Sequence, residues 1–277
     1  MSSPPLSSNA IRQALLALPA HPLARQTEII VCTETGSTNA DLLAQIPSLE
    51  GPSMLLAEIQ HAGRGRAGRP WHSSFGKSLT FSLAWPFRLP LQEMLGLPLA
   101  VGVAIAQALA SLGVQVQLKW PNDVLKDGKK LAGVLIESAS HASDPAMNWA
   151  VIGIGMNLLV PAELEQKIGK SVADAPWLAQ LDRNVLAAHL LQHLARSMEQ
   201  FSRQGWPSFI ADWQQLHAFA GQEVLILDAG QVLQQGIALG VDEQGRLLLD
   251  TPQGRQAVLA GDVSLRSHSQ YLLGDGQ

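Results

Sequence analysis

Nine residues, Gly63-Arg64-Gly65-Arg66-Ala67-Gly68-Arg69-Pro70-Trp71, constrain this chain more than any other stretch. Three glycines and a proline in so short a run suit neither a helix nor a central strand. The stretch is predicted to be a loop, following residues 54–60 (MLLAEIQ), which read as a strand. Glycine lets backbone amides approach a ligand closely, and guanidinium forks make paired, charge-assisted hydrogen bonds to anionic oxygens. The pattern therefore predicts a cradle for an anionic ligand, closing when the ligand supplies the missing charge. A solvated basic loop is the competing reading, because exposed basic runs are common. Two nucleotide motifs match only formally. Gly63-x-Gly65-x-x-Gly68 fits the dinucleotide fingerprint, but Arg69-Pro70-Trp71 stands where a helix should begin. Gly76-Lys77-Ser78 resembles the end of a P-loop whose first glycine is replaced by Trp71.

Around this loop the chain alternates helical and strand patterns. Residues 1–8 are Ser/Pro-rich and predicted to fray, and Ile11, Leu15 and Leu18 mark one short helix. Residues 29–34 read as a strand, and Thr38 to Asp41 as a capping box opening a helix. Leu79, Phe81, Leu83 and Trp85 alternate with Ser78, Thr80, Ser82 and Ala84, which predicts a half-buried strand. Leu95 to Leu112 is apolar but interrupted by Gly96, Pro98 and Gly102, so a core helix is expected and no membrane span. Residues 114–120 and 129–138 read as strands around an Asp127-Gly128 turn, and 149–156 as another. Residues 158–180 read as a long loop, with a partial helix in it as the alternative, Asp182 as a helix cap, and Trp206-Pro207 as a further helix start. After Gly221 short strands and tight turns predict a small β-barrel. The expected class is α+β: a mixed, mainly antiparallel sheet covered by helices, then the barrel. The boundaries read as 1–26 for an N-terminal extension, 27–220 for the main domain and 221–277 for the barrel.

With 277 residues and a formal net charge of −4, the chain is not built around a long nucleic-acid face. The single cysteine, Cys32, fits a reducing, cytoplasmic compartment. His189 and His193 lie four apart without a glutamate motif or third ligand, so no protein-held metal site is expected. Alternation places Lys130 on one face with Ala132, Val134 and Ile136, its ammonium at a pocket mouth; an ordinary surface lysine is the alternative. Gly133, Gly153 and Gly155 sit inside strand patterns, where glycine marks a ligand or a second backbone lying close, or else tight helix-on-sheet packing. Ser37 and Thr38 read as helix caps or pocket hydroxyls, and Gln60 as a donor and acceptor for a flat polar ligand or a solvated side chain.

Taken in order, these motifs resemble the biotin–protein ligase family. They are Gly36-Ser37-Thr38-Asn39, Gln60 through Trp71, Lys119-Trp120-Pro121-Asn122-Asp123, Lys130 through Glu137, Gly153 through Asn157, Leu181 through Asn184 and Ser264 through Ser267. Several separated motifs in order are far more specific than any one of them. The resemblance implies the sheet shared by class II aminoacyl-tRNA synthetases and biotin ligases, followed by an SH3-like barrel. It implies a ligase that forms biotinyl-AMP from biotin and ATP, with Mg²⁺ on the phosphates. The biotinyl group then passes to a lysine of a biotin carboxyl carrier domain, as in acetyl-CoA carboxylase. Carried over position by position, Lys130 and Arg66 are the catalytic pair. Biotin falls to Ser37, Thr38, Asn39, Gln60, Gly63, Arg64, Gly65, Arg66, Lys130, Gly133, Gly153 and Gly155. The nucleotide falls to Arg66, Arg69, Trp71, Lys119, Asn122, Asn157 and Arg266.

Three departures qualify the resemblance. Many bacterial members carry an N-terminal helix-turn-helix; the stretch before Thr27 is too short for one, so no operator binding is expected. Residues 158–176 would cover the adenylate, with Trp177 a candidate stacking platform. Leu225 stands where some relatives place a lysine. Family members often dimerise by placing their sheets side by side, so a homodimer is one expected assembly. Rival readings are a lipoate or octanoate ligase or transferase of the same fold, and a non-catalytic biotin sensor.

Overall fold

The structure is a computed structural model describing residues 4–141, 144–159, 173, 175, 177–228, 230–260 and 264–267. Its centre is a seven-stranded sheet of β1 (Glu28–Thr35), β2 (Ser53–Gln60), β3 (Ser78–Phe87), β4 (Gln117–Lys119), β5 (Asp123–Lys126), β6 (Lys129–His141) and β7 (Asp144–Asn157). The order is β1-β2-β3-β7-β6-β5-β4. β1 and β2 are parallel, and every other pair is antiparallel. The mixed, mainly antiparallel sheet of the expected class is thus present.

Helices cover one face: α1 (Ser8–Ala17), α2 (Pro22–Gln26), α4 (Leu97–Ala110), α5 (Arg183–Gln204) and α6 (Ile210–Leu216). Leu79, Phe81, Leu83 and Trp85 of β3 and Ile152, Ile154 and Met156 of β7 point into this layer. Each fully buried aliphatic or aromatic chain there contributes about 1.5–3 kcal/mol. The stretch Leu91–Ala110 is long and apolar enough to cross a membrane, yet its most apolar window is 72% buried inside the fold. On the other face lies α3 (Thr38–Gln45), packed over Leu55, Ala84, Trp149 and Val151 through Leu42 and Ile46. Ser78, Thr80 and Ser82 lie on this second face and are also buried. β3 is therefore buried on both sides; its alternation is not the mark of a solvent-facing strand.

Other local expectations also shift. The N-cap of α3 is Ser37, whose side chain accepts from Ala40 N, so the capping residue lies one position before the predicted box. Only Gln117–Lys119 of the predicted 114–120 strand pairs, because Val114 N is still bonded to Leu109 O at the end of α4. Two helices precede β1, not one. Pro22 at the first position of α2 and His21 as its cap make a helix without apolar periodicity. The 158–180 segment is described only at 158–159, 173, 175 and from 177 onward, where Leu178–Gln180 forms a 3₁₀ turn.

Residues 4–7 do not fray. Leu6 N donates to Glu58 Oε1 at 2.8 Å, and Asn184 Nδ2 and Arg183 Nη2 donate to Pro5 O and Pro4 O, both at 3.2 Å. Arg183 and Glu58 form a buried bidentate pair at 2.6 and 3.0 Å. The pair ties the N-terminal segment, the start of α5 and β2 into one unit.

The second sheet, β8 (Glu223–Asp228), β9 (Gln231–Val241), β10 (Leu247–Thr251), β11 (Gly254–Val258) and β12 (Ser264–Ser267), has the order β11-β10-β9-β8-β12 and is antiparallel throughout. Two indoles hold its β9–β10 turn against the first domain. Trp206 Nε1 donates to Asp242 O at 2.9 Å and Trp120 Nε1 to Gly245 O at 3.1 Å. The connection from α6 also docks on the sheet, since Ala218 N donates to Leu118 O at 2.9 Å. Beside it His217 stacks on Trp213, and burial pushes its pKa down to about 4, so it packs as a neutral ring.

Removing Glu58 deprives the buried Arg183 guanidinium of its bidentate carboxylate partner. Glu58→Ala is expected to lower the unfolding free energy by about 3–5 kcal/mol, read from urea unfolding, while Glu58→Leu combined with Arg183→Met costs much less.

Candidate functional site

Between α3, the arginine–glycine loop and the strands β3, β7, β6 and β5 lies a cavity of about 800 Å³. Three glycines clear its floor. Gly133 on β6 is opposite Gly155 on β7, and Gly153 lies two residues along the same face. A Cβ at Gly153 would overlap the Asn39 amide, one at Gly155 the Trp71 indole, and one at Gly133 the Lys130 ammonium. Three side chains therefore lie flat on the sheet where β-carbons would otherwise stand.

Over Gly153 the groups are neutral. Gln60 Oε1 accepts from Thr38 N at 2.7 Å, and Thr38 Oγ1 lies 3.1 Å from it and 2.7 Å from Ser82 Oγ. Ser82 donates to Asn39 Oδ1 at 2.5 Å. Thr80 Oγ1 and Trp71 Nε1 are buried and have no hydrogen-bond partner among the described residues, and both residues line the cavity. Unsatisfied buried donors of this kind are costly, and a polar ligand would satisfy them.

Over Gly133 the groups are charged. Lys130 Nζ lies 2.5 Å from Asp123 Oδ1. Burial pushes the Asp123 pKa up, but Lys130, Lys119 and Arg266 outweigh burial and hold it below its ordinary value. Burial pushes Arg266 down, Asp123 opposes that and nearby Arg69 adds to it. Arg266 comes from β12, so the second sheet supplies part of the wall.

The loop 63–71 folds on itself beside these groups. Trp71 N donates to Gly63 O, Gly65 N to Arg69 O and Arg69 N to Arg66 O. Ala67 and Gly68 at its tip take left-handed backbone angles. Arg66 Nη1 reaches Asn122 Oδ1 at 3.0 Å, and Arg64 Nη2 reaches both Glu137 oxygens at 3.0 Å.

Comparison with known proteins agrees with this layout. Residues 30–157 match the biotin/lipoate A/B protein ligase family, and residues 219–266 match the biotin protein ligase C terminal domain. The biotin--[acetyl-CoA-carboxylase] ligase of Mycobacterium tuberculosis is 36% identical over 94% of this chain and 96% of its own length. The chain belongs to the biotin–protein ligase family. The bifunctional ligase/repressor BirA of Escherichia coli is likewise 36% identical, over 83% of this chain and 72% of that one. Among solved structures, the biotin protein ligase of Aquifex aeolicus in complex with biotin and ATP superposes with a TM-score of 0.72. It is 28% identical and covers 87% of this chain and 99% of that one.

Most of the biotin–protein ligase motifs read in the sequence come together here; Leu181 through Asn184 does not, its Arg183 pairing with Glu58 away from the cavity lining. Ser37, Thr38, Asn39, Gln60, Arg64, Gly65, Arg66, Arg69, Trp71, Lys119, Asn122, Lys130, Gly133, Gly153, Gly155, Asn157 and Arg266 all line the cavity. Gly63 does not. It is buried behind the loop, where a Cβ would overlap Trp71 O, so its small size serves the loop closure. Lys130 reaches the cavity for a different reason than alternation. The register of β5 and β6 shifts between Val124 and Leu125, so Leu131 is an extra residue and Lys130 shares the side of Gly133, not that of Ala132 and Val134. Residues 160–172, the body of the expected covering loop, lie outside the described residues, and Trp177 is exposed but does not line the cavity. Sequence reading gave no role to Thr80 and Ser82, whose only signal was polar residues alternating on a strand.

Gly155→Ala forces the Trp71 indole from its seat and is expected to cost about 1–3 kcal/mol of stability. With Trp71→Ala already present, the same change costs about 0.5 kcal/mol or less. A double-mutant cycle in urea measures the difference.

Proposed function

We propose that this protein is an ATP-dependent biotin–protein ligase that forms biotinyl-AMP and transfers the biotinyl group to a lysine of a biotin carboxyl carrier domain. One observation carries the reading: a single cavity sets a neutral polar slot over Gly153 beside a cationic slot over Gly133. Biotin has a neutral urea-type ring at one end and a carboxylate at the other, and ATP is an anion. The Mycobacterium tuberculosis relative, 36% identical, is a biotin--[acetyl-CoA-carboxylase] ligase, which supports a carboxylase carrier domain as the acceptor.

In the first half-reaction a carboxylate oxygen attacks the α-phosphorus, a mixed anhydride forms and pyrophosphate leaves. In the second the acceptor amine attacks the carbonyl carbon, an amide forms and AMP leaves. Two anions must be brought together, so positioning and fixed positive charge are the main demands. Lys130 and Arg66 are assigned to the carboxylate and α-phosphate. Asp123 holds the Lys130 ammonium in place until those oxygens compete for it. Thr38, Gln60, Asn39, Ser37, Arg64 and Gly65 fall to biotin over the glycine floor. Lys119, Asn122, Asn157, Arg69, Trp71 and Arg266 fall to the nucleotide. Mg²⁺ accompanies ATP and neutralises phosphate charge when bound. Among the described residues no cluster of three His, Cys, Asp or Glu forms a cage. Asp123, half-buried at the cavity wall, suits an ion held mostly by phosphate and water. Closure of the loop over the anhydride keeps water away.

Exchange of labelled pyrophosphate into ATP is expected to require biotin and to fall at least about hundredfold in Lys130→Ala. No exchange with biotin would end the proposal, and exchange with lipoate in its place would favour the lipoate reading. Arg66→Gly is expected to release biotinyl-AMP and label lysines indiscriminately. Mass spectrometry of a bystander protein reads this directly; a retained adenylate with unaltered acceptor choice would contradict it.

A further inference from the structure

We infer that Glu137 is a positioning residue that fixes the direction of the hydrogen bonds in the neutral slot and latches the arginine–glycine loop to them. The inference rests on the biotin-ligase reading and deepens it, since Glu137 does not itself line the cavity. Glu137 stands on β6 opposite Val151, two residues beyond Leu135 on the face of Gly133. Its Oε2 accepts from Asn39 Nδ2 at 2.9 Å, and both its oxygens accept from Arg64 Nη2. As an ion pair alone the contact is weak, because the Arg64 side chain is 46% exposed. Its force lies in the chemistry of the carboxylate, which only accepts.

The consequence passes from residue to residue. Facing an obligate acceptor, Asn39 must turn its amide nitrogen toward Glu137 and its oxygen toward Ser82. Ser82 then has its one proton on Asn39 Oδ1 and can only accept from Thr38. Thr38 has its proton directed at Ser82 and Gln60, leaving a lone pair for a ligand N–H. Gln60 Oε1 is held by Thr38 N, so Gln60 Nε2 is the donor left for a ligand carbonyl. A slot so polarised fits a urea-type ring, with N–H donors flanking a carbonyl. The same carboxylate grips Arg64 in the cradle loop, so ring recognition and loop position share one anchor. A glutamine at this position would offer a donor as well as an acceptor, and only the long contact from Asn39 Nδ2 to Leu135 O at 3.5 Å would still favour the present orientation of Asn39.

The test compares full-length wild type, Glu137→Gln and Glu137→Asp in pyrophosphate exchange with biotin and with 2-iminobiotin, in which C=NH replaces the ring C=O. Glu137→Gln is expected to raise KM for biotin about tenfold and to leave KM for ATP within about twofold. It should also shrink the preference for biotin over 2-iminobiotin, with Glu137→Asp restoring part of both. If wild type exchanges and Glu137→Gln leaves biotin KM and that preference unchanged, the inference is overturned. Equal rises in both KM values with a lowered Tm would overturn it too, as general loosening. Absence of exchange in wild type would instead remove the ligase reading.

Discussion

The site depends on what is missing from two neighbouring strands. Gly133, Gly153 and Gly155 leave the sheet bare at one patch, and three side chains of different chemistry settle onto it: an amide, an indole and an ammonium. No loop rearrangement could substitute for this clearance, because side chains one strand apart would fill the space above the backbone. Everything else in the cavity is arranged around that floor. The hydroxyls of β3 reach it from one side, the bulged start of β6 from the other, and the loop folds over it from the end of β2.

Charge is distributed over the floor with the same economy. The cationic half holds Lys130, Lys119 and Arg266 around the Asp123 carboxylate, which keeps like charges from scattering the wall. Among the described residues of the neutral half, the Arg64 guanidinium is the lining charge, and it is paired at the edge with Glu137. A ligand with one neutral and one anionic end is oriented by this contrast before any single hydrogen bond decides the matter.

Much of this was legible in the residues themselves. The glycine positions, the arginine loop and the ordered motifs pointed to one cavity, and the helical and strand periods gave the sheet and the second domain. What escaped was long-range. The Glu58–Arg183 pair joins positions 125 apart and pins down an N-terminal segment that local composition marks as frayed. Ser82 and Thr80 look like the wet side of a strand until α3 is seen to cover it. The extra residue Leu131 changes which face Lys130 joins, and nothing in the alternation announces a bulge. Each miss has the same cause: period and propensity describe an element alone, while burial and register belong to pairs of elements.

The two indoles at the β9–β10 turn carry a last implication. Trp120 sits between Lys119 and Asn122, which face the cavity, yet its N–H is committed to a carbonyl of the small sheet, and Arg266 crosses the same seam from the other side. The small sheet is thus masonry in the wall of the reaction chamber and not an annex to it. Severed at the connection near His217, the larger piece would keep its floor and its loop but face water along one flank. For an activated anhydride, that flank is where hydrolysis would begin.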